Sequence, residues 1–170
     1  GMTISSDMKR DEKFEENLLE GIYQLAIMHY KPEDERFFSK KCGSECLYIS
    51  LPQGNPLAFY PELYLKDLDG ISILLLSQIG FWEKMHREKT PNSKYLLQIE
   101  ESSFIELATH SEYPIFTSDY FINRNETMPG RVNVKLADCE CSTDYYLVCL
   151  ESEKKKYEML FNRVNESTVK

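Results

Sequence analysis

Leu68-Asp69-Gly70-Ile71-Ser72-Ile73-Leu74-Leu75-Leu76-Ser77-Gln78-Ile79-Gly80-Phe81-Trp82-Glu83-Lys84-Met85 is the stretch on which the fold turns. Leu68, Ile71, Leu75, Ile79 and Trp82 recur at helical spacing, and the pattern reaches Met85. Residues 71–76 alone could equally form a buried strand after the Asp69-Gly70 turn. Length arbitrates between the two, because a periodic stretch longer than roughly eight residues favours helix over strand. A helix is therefore expected over 68–85.

On the N-terminal side, residues 46–51 read as a strand and 57–60 as its partner. Pro52-Gln53-Gly54-Asn55-Pro56 between them is dense turn chemistry, so a hairpin is expected. Further back, Phe14, Leu18, Ile22, Leu25, Ala26 and His29 make an apolar helical face opposite Asp11, Glu12, Glu15 and Glu16. Early acids suit the positive end of a helix dipole, and Lys31-Pro32 would stop the helix. A long first helix over 7–30 follows.

On the C-terminal side, 95–99 reads as a strand. Ser103 and Glu106 fit a capping box for a short helix to His110, and 114–122 is extended. Val132, Val134 and Leu136 alternate with Asn133, Lys135 and Ala137, as a half-buried strand does. Residues 145–150 are apolar throughout and belong in the middle of a sheet. Tyr157, Leu160, Phe161 and Val164 stripe a last helix.

The resulting expectation is an α+β fold in one domain over 1–170. It has a largely antiparallel sheet of about five or six strands, a long N-terminal helix, one or two central helices and a C-terminal helix. Gly1-Met2 reads as a tag scar before an initiator Met, with 1–6 and 166–170 as flexible ends.

The 170 residues carry 20 Lys and Arg against 28 Asp and Glu, a net charge of −8. That balance argues against nucleic acid and against an anionic membrane surface. No run approaches the roughly 20 apolar residues of a membrane span, and the start lacks the apolar core of a signal peptide. Five cysteines without an export signal read as reduced thiols in the cytoplasm.

Motifs for known chemistry are sparse. There is no GxGxxG, no Walker loop and no Gly-x-Ser-x-Gly elbow. His86-Arg87-Glu88 matches the His-x-Glu of zinc deaminases, but the required Pro-Cys-x-x-Cys is missing, so it reads as a solvated helix end. Cys42-x3-Cys46 with Cys139-x-Cys141 could close a tetrahedral thiolate site, with Cys139 and Cys141 on one face of a strand. No cofactor is expected beyond such a structural zinc. A Cys–His pair would join Cys42 to His29 or His110.

Eleven Tyr and nine Phe suit interfaces or pockets as well as sheet packing. Tyr60, Tyr64, His110 and Cys42 are the candidates to line a ligand site. The favoured reading is a non-catalytic protein–protein interaction module, an adaptor, inhibitor or chaperone, with a basic protein partner steered by the acidic surface. No nucleic acid and no membrane enter that reading, and a homodimer is compatible with it. The alternative is a small-molecule-binding protein or enzyme with a pocket between sheet and helices. Catalysis itself is left open.

Overall fold

The computed structural model describes residues 13–77 and 82–164. By their contacts the residues fall into two compact units. One is Gly1–Cys42 with Tyr145–Glu166; the other is Gly43–Asp144 with Ser167–Lys170. Strands β2 (Phe37–Pro52) and β8 (Ser142–Leu150) each run from one unit into the other.

In the first unit, α1 (Phe14–Leu19) leads into β1 (Ala26–Met28). Strand β1 pairs antiparallel with β8, Ile27 facing Leu147, and β8 is flanked on its other side by β2. Alternation along β8 serves two cores. Val148 packs with Leu18, Met28 and Phe37, whereas Leu147 and Cys149 pack with Phe161 of α5 (Glu158–Arg163). That two-sided burial is why 145–150 is apolar at every position. Phe161 stands edge-on to Phe38 at 4.8 Å, and its carbonyl accepts the Lys40 ammonium at 2.8 Å.

The long first helix is not formed. Of 7–30, residues 7–12 lie outside the described residues, and the remainder is helical only over Phe14–Leu19. Gly21 sits at φ 73°, where the left-handed backbone suits glycine, and the Ile22 and Tyr23 amides turn back to the Asn17 carbonyl. Beyond the turn, pairing with β8 converts an amphipathic helical pattern into a strand. Tertiary pairing here overrides local periodicity.

The second unit holds β3 (Glu62–Leu63), β4 (Ser72–Leu76), α2 (Trp82–Lys89), β5 (Lys94–Gln98), α3 (Glu101–His110), β6 (Ile115–Ser118), α4 (Asp119–Asn123) and β7 (Arg131–Leu136). With β2 they form a sheet in the order β5-β4-β6-β2-β7-β3. Strand β4 is parallel to both β5 and β6, and β3 is parallel to β7. Only β2 runs antiparallel to its neighbours β6 and β7. The sheet is thus mixed, not largely antiparallel, and the fold is mixed α/β.

Residues 68–85 are where this difference originates. They form a strand followed by a helix, not one helix. Ile73 packs with Trp82, Tyr95 and Phe116 on the α2 face, and Leu74 packs with Ala108, Leu96 and Ile115 on the α3 face. A strand covered on both faces needs apolar residues at consecutive positions, and Ile73, Leu74 and Leu75 are all buried. Full burial of each such side chain stabilises by about 2 kcal/mol.

The hairpin is also replaced. Residues Pro56–Phe59 form a 3-10 turn, started by Asn55, whose side chain accepts the Leu57 amide. Strand β2 pairs instead with the distant β6 and β7. Helix α3 starts at Glu101 without a side-chain cap, so Ser103 lies inside it. Among the described residues no helix is long and apolar enough to cross a membrane.

Candidate functional site

Strand β4 continues into α2 and then β5 on one side, while β6 continues into α4 and then β7 on the other. Adjacent parallel strands whose connections leave in opposite directions open a crevice at their carboxyl ends, the usual ligand position in open α/β sheets. Here that place lies beside Leu76-Ser77 at the end of β4 and Ser118-Asp119 at the end of β6. Residues 78–81 are outside the described residues.

Three side chains define the chemistry. Ser118 is buried and its hydroxyl has no hydrogen-bond partner among the described residues. Two residues back on the same face of β6, Phe116 carries the His86 imidazole stacked on it, with centroids 3.8 Å apart and planes at 14°. His86 is 1% exposed and neither ring nitrogen has a partner among the described residues. Asp119 is half-buried and one of its oxygens accepts the Cys46 amide at 3.0 Å.

Burial is the cause of His86's low pKa, about 4, because an apolar setting disfavours the imidazolium. A neutral imidazole offers one donor and one acceptor, and a serine hydroxyl offers both. Buried polar groups nearly always find partners, so such orphans mark a place where another group can complete the network. Sequence reading placed His86 on a solvated helix end, and the structure corrects that. The available signal was spacing: Trp82 and His86 are four apart, on one side of α2, and both are buried.

The residues expected at a ligand site lie elsewhere. Tyr60 follows the 3-10 turn and is 57% exposed. Tyr64 opens the next turn, with the Lys66 ammonium 5.3 Å from its ring centroid. His110 ends α3 in an exposed position. Cys42 belongs to the first unit, where burial pushes its thiol pKa up and it packs beside Leu147 and Phe161. His29, in the same unit, stands edge-on to Tyr30.

Among the expected metal ligands, Cys46 Sγ lies 3.4 Å from Ser142 Oγ. Cys139 and Cys141 occupy a 3-10 turn, not a strand. Cys139 is exposed and donates to Glu140 at 3.1 Å, while Cys141 is buried and its thiol is pushed up to about 12. Glu140 is held at about 2, chiefly by the Lys89 ammonium 2.6 Å away. Among the described residues no group of three or more His, Cys, Asp or Glu side chains converges.

No family model and no curated protein matches the chain. Solved structures do. The reduced regulatory domain of OxyR from Pseudomonas aeruginosa is 13% identical with a TM-score of 0.68, over 91% of this chain and 78% of that one. The effector binding domain of a BenM variant is 17% identical with a TM-score of 0.64, over 88% and 73%. Full-length CbnR, a LysR family transcriptional regulator complexed with its target DNA, is 13% identical with a TM-score of 0.62, over 91% and 55%. The chain therefore spans about half of full-length CbnR. These likenesses overturn two expectations. The protein–protein interaction module gives way to the small-molecule alternative, because chains of this fold include an effector binding domain. The exclusion of nucleic acid falls as well, because a chain of this fold sits on DNA. What the comparisons establish for this chain is the fold, which is similar to the regulatory domains of LysR family regulators.

Proposed function

We propose that the chain is a small-molecule-binding regulatory domain whose ligand binds at the carboxyl ends of β4 and β6. The observation that carries this reading is the pair of orphaned buried groups, His86 and Ser118, on one face of β6 beside the topological switch. The ligand chemistry that fits is a small polar organic molecule able to hydrogen-bond a neutral imidazole and a hydroxyl. Asp119 sits at the same strand end and would favour a donor group on that ligand. In this reading DNA engagement is a property of the protein as a whole, as with CbnR, and the ligand changes it by binding one state of the domain better than another.

The test is a thermal-shift screen with small carboxylic acids, amino acids, sugars and nucleosides. A ligand at a hundredfold excess over its Kd should stabilise by about 2.7 kcal/mol. Ser118→Val should remove the shift while leaving the protein folded. A ligand whose shift survives Ser118→Val and His86→Phe binds elsewhere and refutes the assignment.

A further inference from the structure

We propose that the ligand presents a primary ammonium group to the end of β6, so that the domain selects amines over carboxylic acids. This rests on the binding site assigned above to the carboxyl ends of β4 and β6.

Pairing of β2 with β6 sets Leu47 opposite Ser118 and Ile49 opposite Phe116. Residues directly opposite in an antiparallel pair share a face, as do alternate residues along one strand. Glu45 stands two residues before Leu47 in β2. It therefore belongs to the face that carries Ser118, Phe116 and the His86 ring stacked on Phe116. Asp119 adds a second carboxylate at the same end, where β6 passes into α4. The Cys46 amide donates to one Asp119 oxygen at 3.0 Å, and the other oxygen makes no hydrogen bond among the described residues.

Charge at this end has one sign. Asp119 is the one charged residue in 115–122, Glu45 the one in 43–49, and 74–77 at the end of β4 has none. The next cation along the chain after β6, Arg124, is bonded to Glu126 at 2.9 Å. Acids alone would form a solvated face. What marks a ligand is Ser118 among them, 2% exposed with a hydroxyl that has no partner among the described residues, because buried hydroxyls normally have one. An ammonium carries donors and no acceptor. It can bond the Ser118 oxygen and the remaining Asp119 oxygen together, with Glu45 adding attraction on the same face. A carboxylate placed there would meet like charge instead. The net charge of −8 draws a small cation towards the chain as well.

Isothermal titration calorimetry on the whole chain tests this. The probes are amino-acid amides, amino alcohols and diamines, each beside the same skeleton carrying a hydroxyl or a carboxylate in place of the amine. At least one amine should bind, with its counterparts weaker by at least about tenfold. Asp119→Asn keeps an oxygen for the Cys46 amide and removes the charge, so it should weaken that amine about tenfold with the melting temperature retained. Glu45→Gln should weaken it about threefold. A panel in which no amine binds, or an amine that binds Asp119→Asn as tightly as the wild type, overturns the proposal. A carboxylate that is lost in Ser118→Val and tightens in Asp119→Asn overturns the amine and leaves the site at β4 and β6 standing. An amine indifferent to Ser118→Val overturns both.

Discussion

Strands β4, β5 and β6 have amino ends where most polar groups are tied to each other, and β6 has a carboxyl end where Ser118 lacks a partner among the described residues. At the amino ends, the Asp69 carboxylate accepts both the backbone and side-chain amides of Asn92, at 2.9 and 2.8 Å. The Ser93 hydroxyl takes the Gly70 amide and donates to the Leu68 carbonyl. The Arg131 guanidinium donates to the Ala108 and Tyr113 carbonyls at either end of the turn into β6, and to both oxygens of Ser50. The Ser111 hydroxyl is an exception there, although its carbonyl also faces Arg131. At the carboxyl end of β6 stands Ser118, and on the same face nearer its start His86 stacks on Phe116; neither side chain has a hydrogen-bond partner among the described residues. One end is organised for stability. The other holds buried polar side chains without partners among the described residues, near the place where ligands bind in open α/β sheets generally. The contrast predicts opposite responses to mutation at the two ends.

The largest effect is expected at the bonded end. Arg131→Ala strips donors from several carbonyls at once, leaving them partly buried and unsatisfied. The loss should be about 3 kcal/mol, seen as a melting temperature roughly 6–12 °C lower. Lysine should not rescue it, because one ammonium cannot reach acceptors arranged around a planar fork. A loss below about 1 kcal/mol would show that the network is decorative and the contrast unreal.

His86 gives the next effect, and it depends on pH. Its folded pKa, about 4, lies below its ordinary 6.5, so below pH 6.5 the unfolded chain takes up the proton that the folded chain refuses. Stability should therefore fall as pH drops from 6.5 towards 4, by about 3 kcal/mol at the lower end, and then level off. His86→Phe keeps the stack on Phe116 and removes the titrating group. Urea unfolding at pH 7 and pH 4.5 should show a smaller acid loss in the variant by about 2 kcal/mol. An equal loss in both proteins would mean that His86 is hydrated or paired.

Several elements were legible in the sequence because their signals are local. The alternation of Val132, Val134 and Leu136 marked β7, and the unbroken apolar run at 145–150 marked a central strand. The same kind of run at 71–76 misled because a strand buried on both faces and a helix both hide consecutive apolar residues. What distinguished them was cover from α2 on one side and α3 on the other, which no local window contains. Residues 14–28 failed for the related reason that β1 exists only through its pairing with β8. The site was the least legible part. His86 and Ser118 lie 32 positions apart in the chain and come to one face of β6 only because α2 packs on it. Tyr60, Tyr64, His110 and Cys42 were chosen for chemical type, and type alone does not say which side chains are buried without partners.

Ser118→Ala separates stability from binding at the open end. Deleting a buried hydroxyl that bonds to none of the described residues should leave the protein as stable as before, or up to about 1 kcal/mol more stable, since a desolvated polar group is removed. Ligand-induced stabilisation should fall in the same variant. A clear loss of stability without ligand would mean that the hydroxyl is bonded after all.

The smallest effect belongs to Asp69, whose carboxylate is exposed at the bonded end. The Asn92 hydrogen bonds hold its pKa below the ordinary carboxylate value of 3.8. A depressed folded pKa contributes stability that is present above the unfolded value and disappears as pH falls through the folded one. Asp69→Asn should therefore melt below the wild type at pH 7, and the gap should close as pH is lowered beneath 3.8. Exposure keeps the difference small, and high salt should erode the part that depends on charge, leaving the neutral hydrogen bonds. Paired melts at pH 7 and pH 3 decide it. A gap that persists unchanged at pH 3 would show that Asp69 acts through shape and neutral hydrogen bonding. The charge-assisted link between the β4 and β5 turns would then drop out of the comparison, leaving Arg131 as what ties the amino ends together.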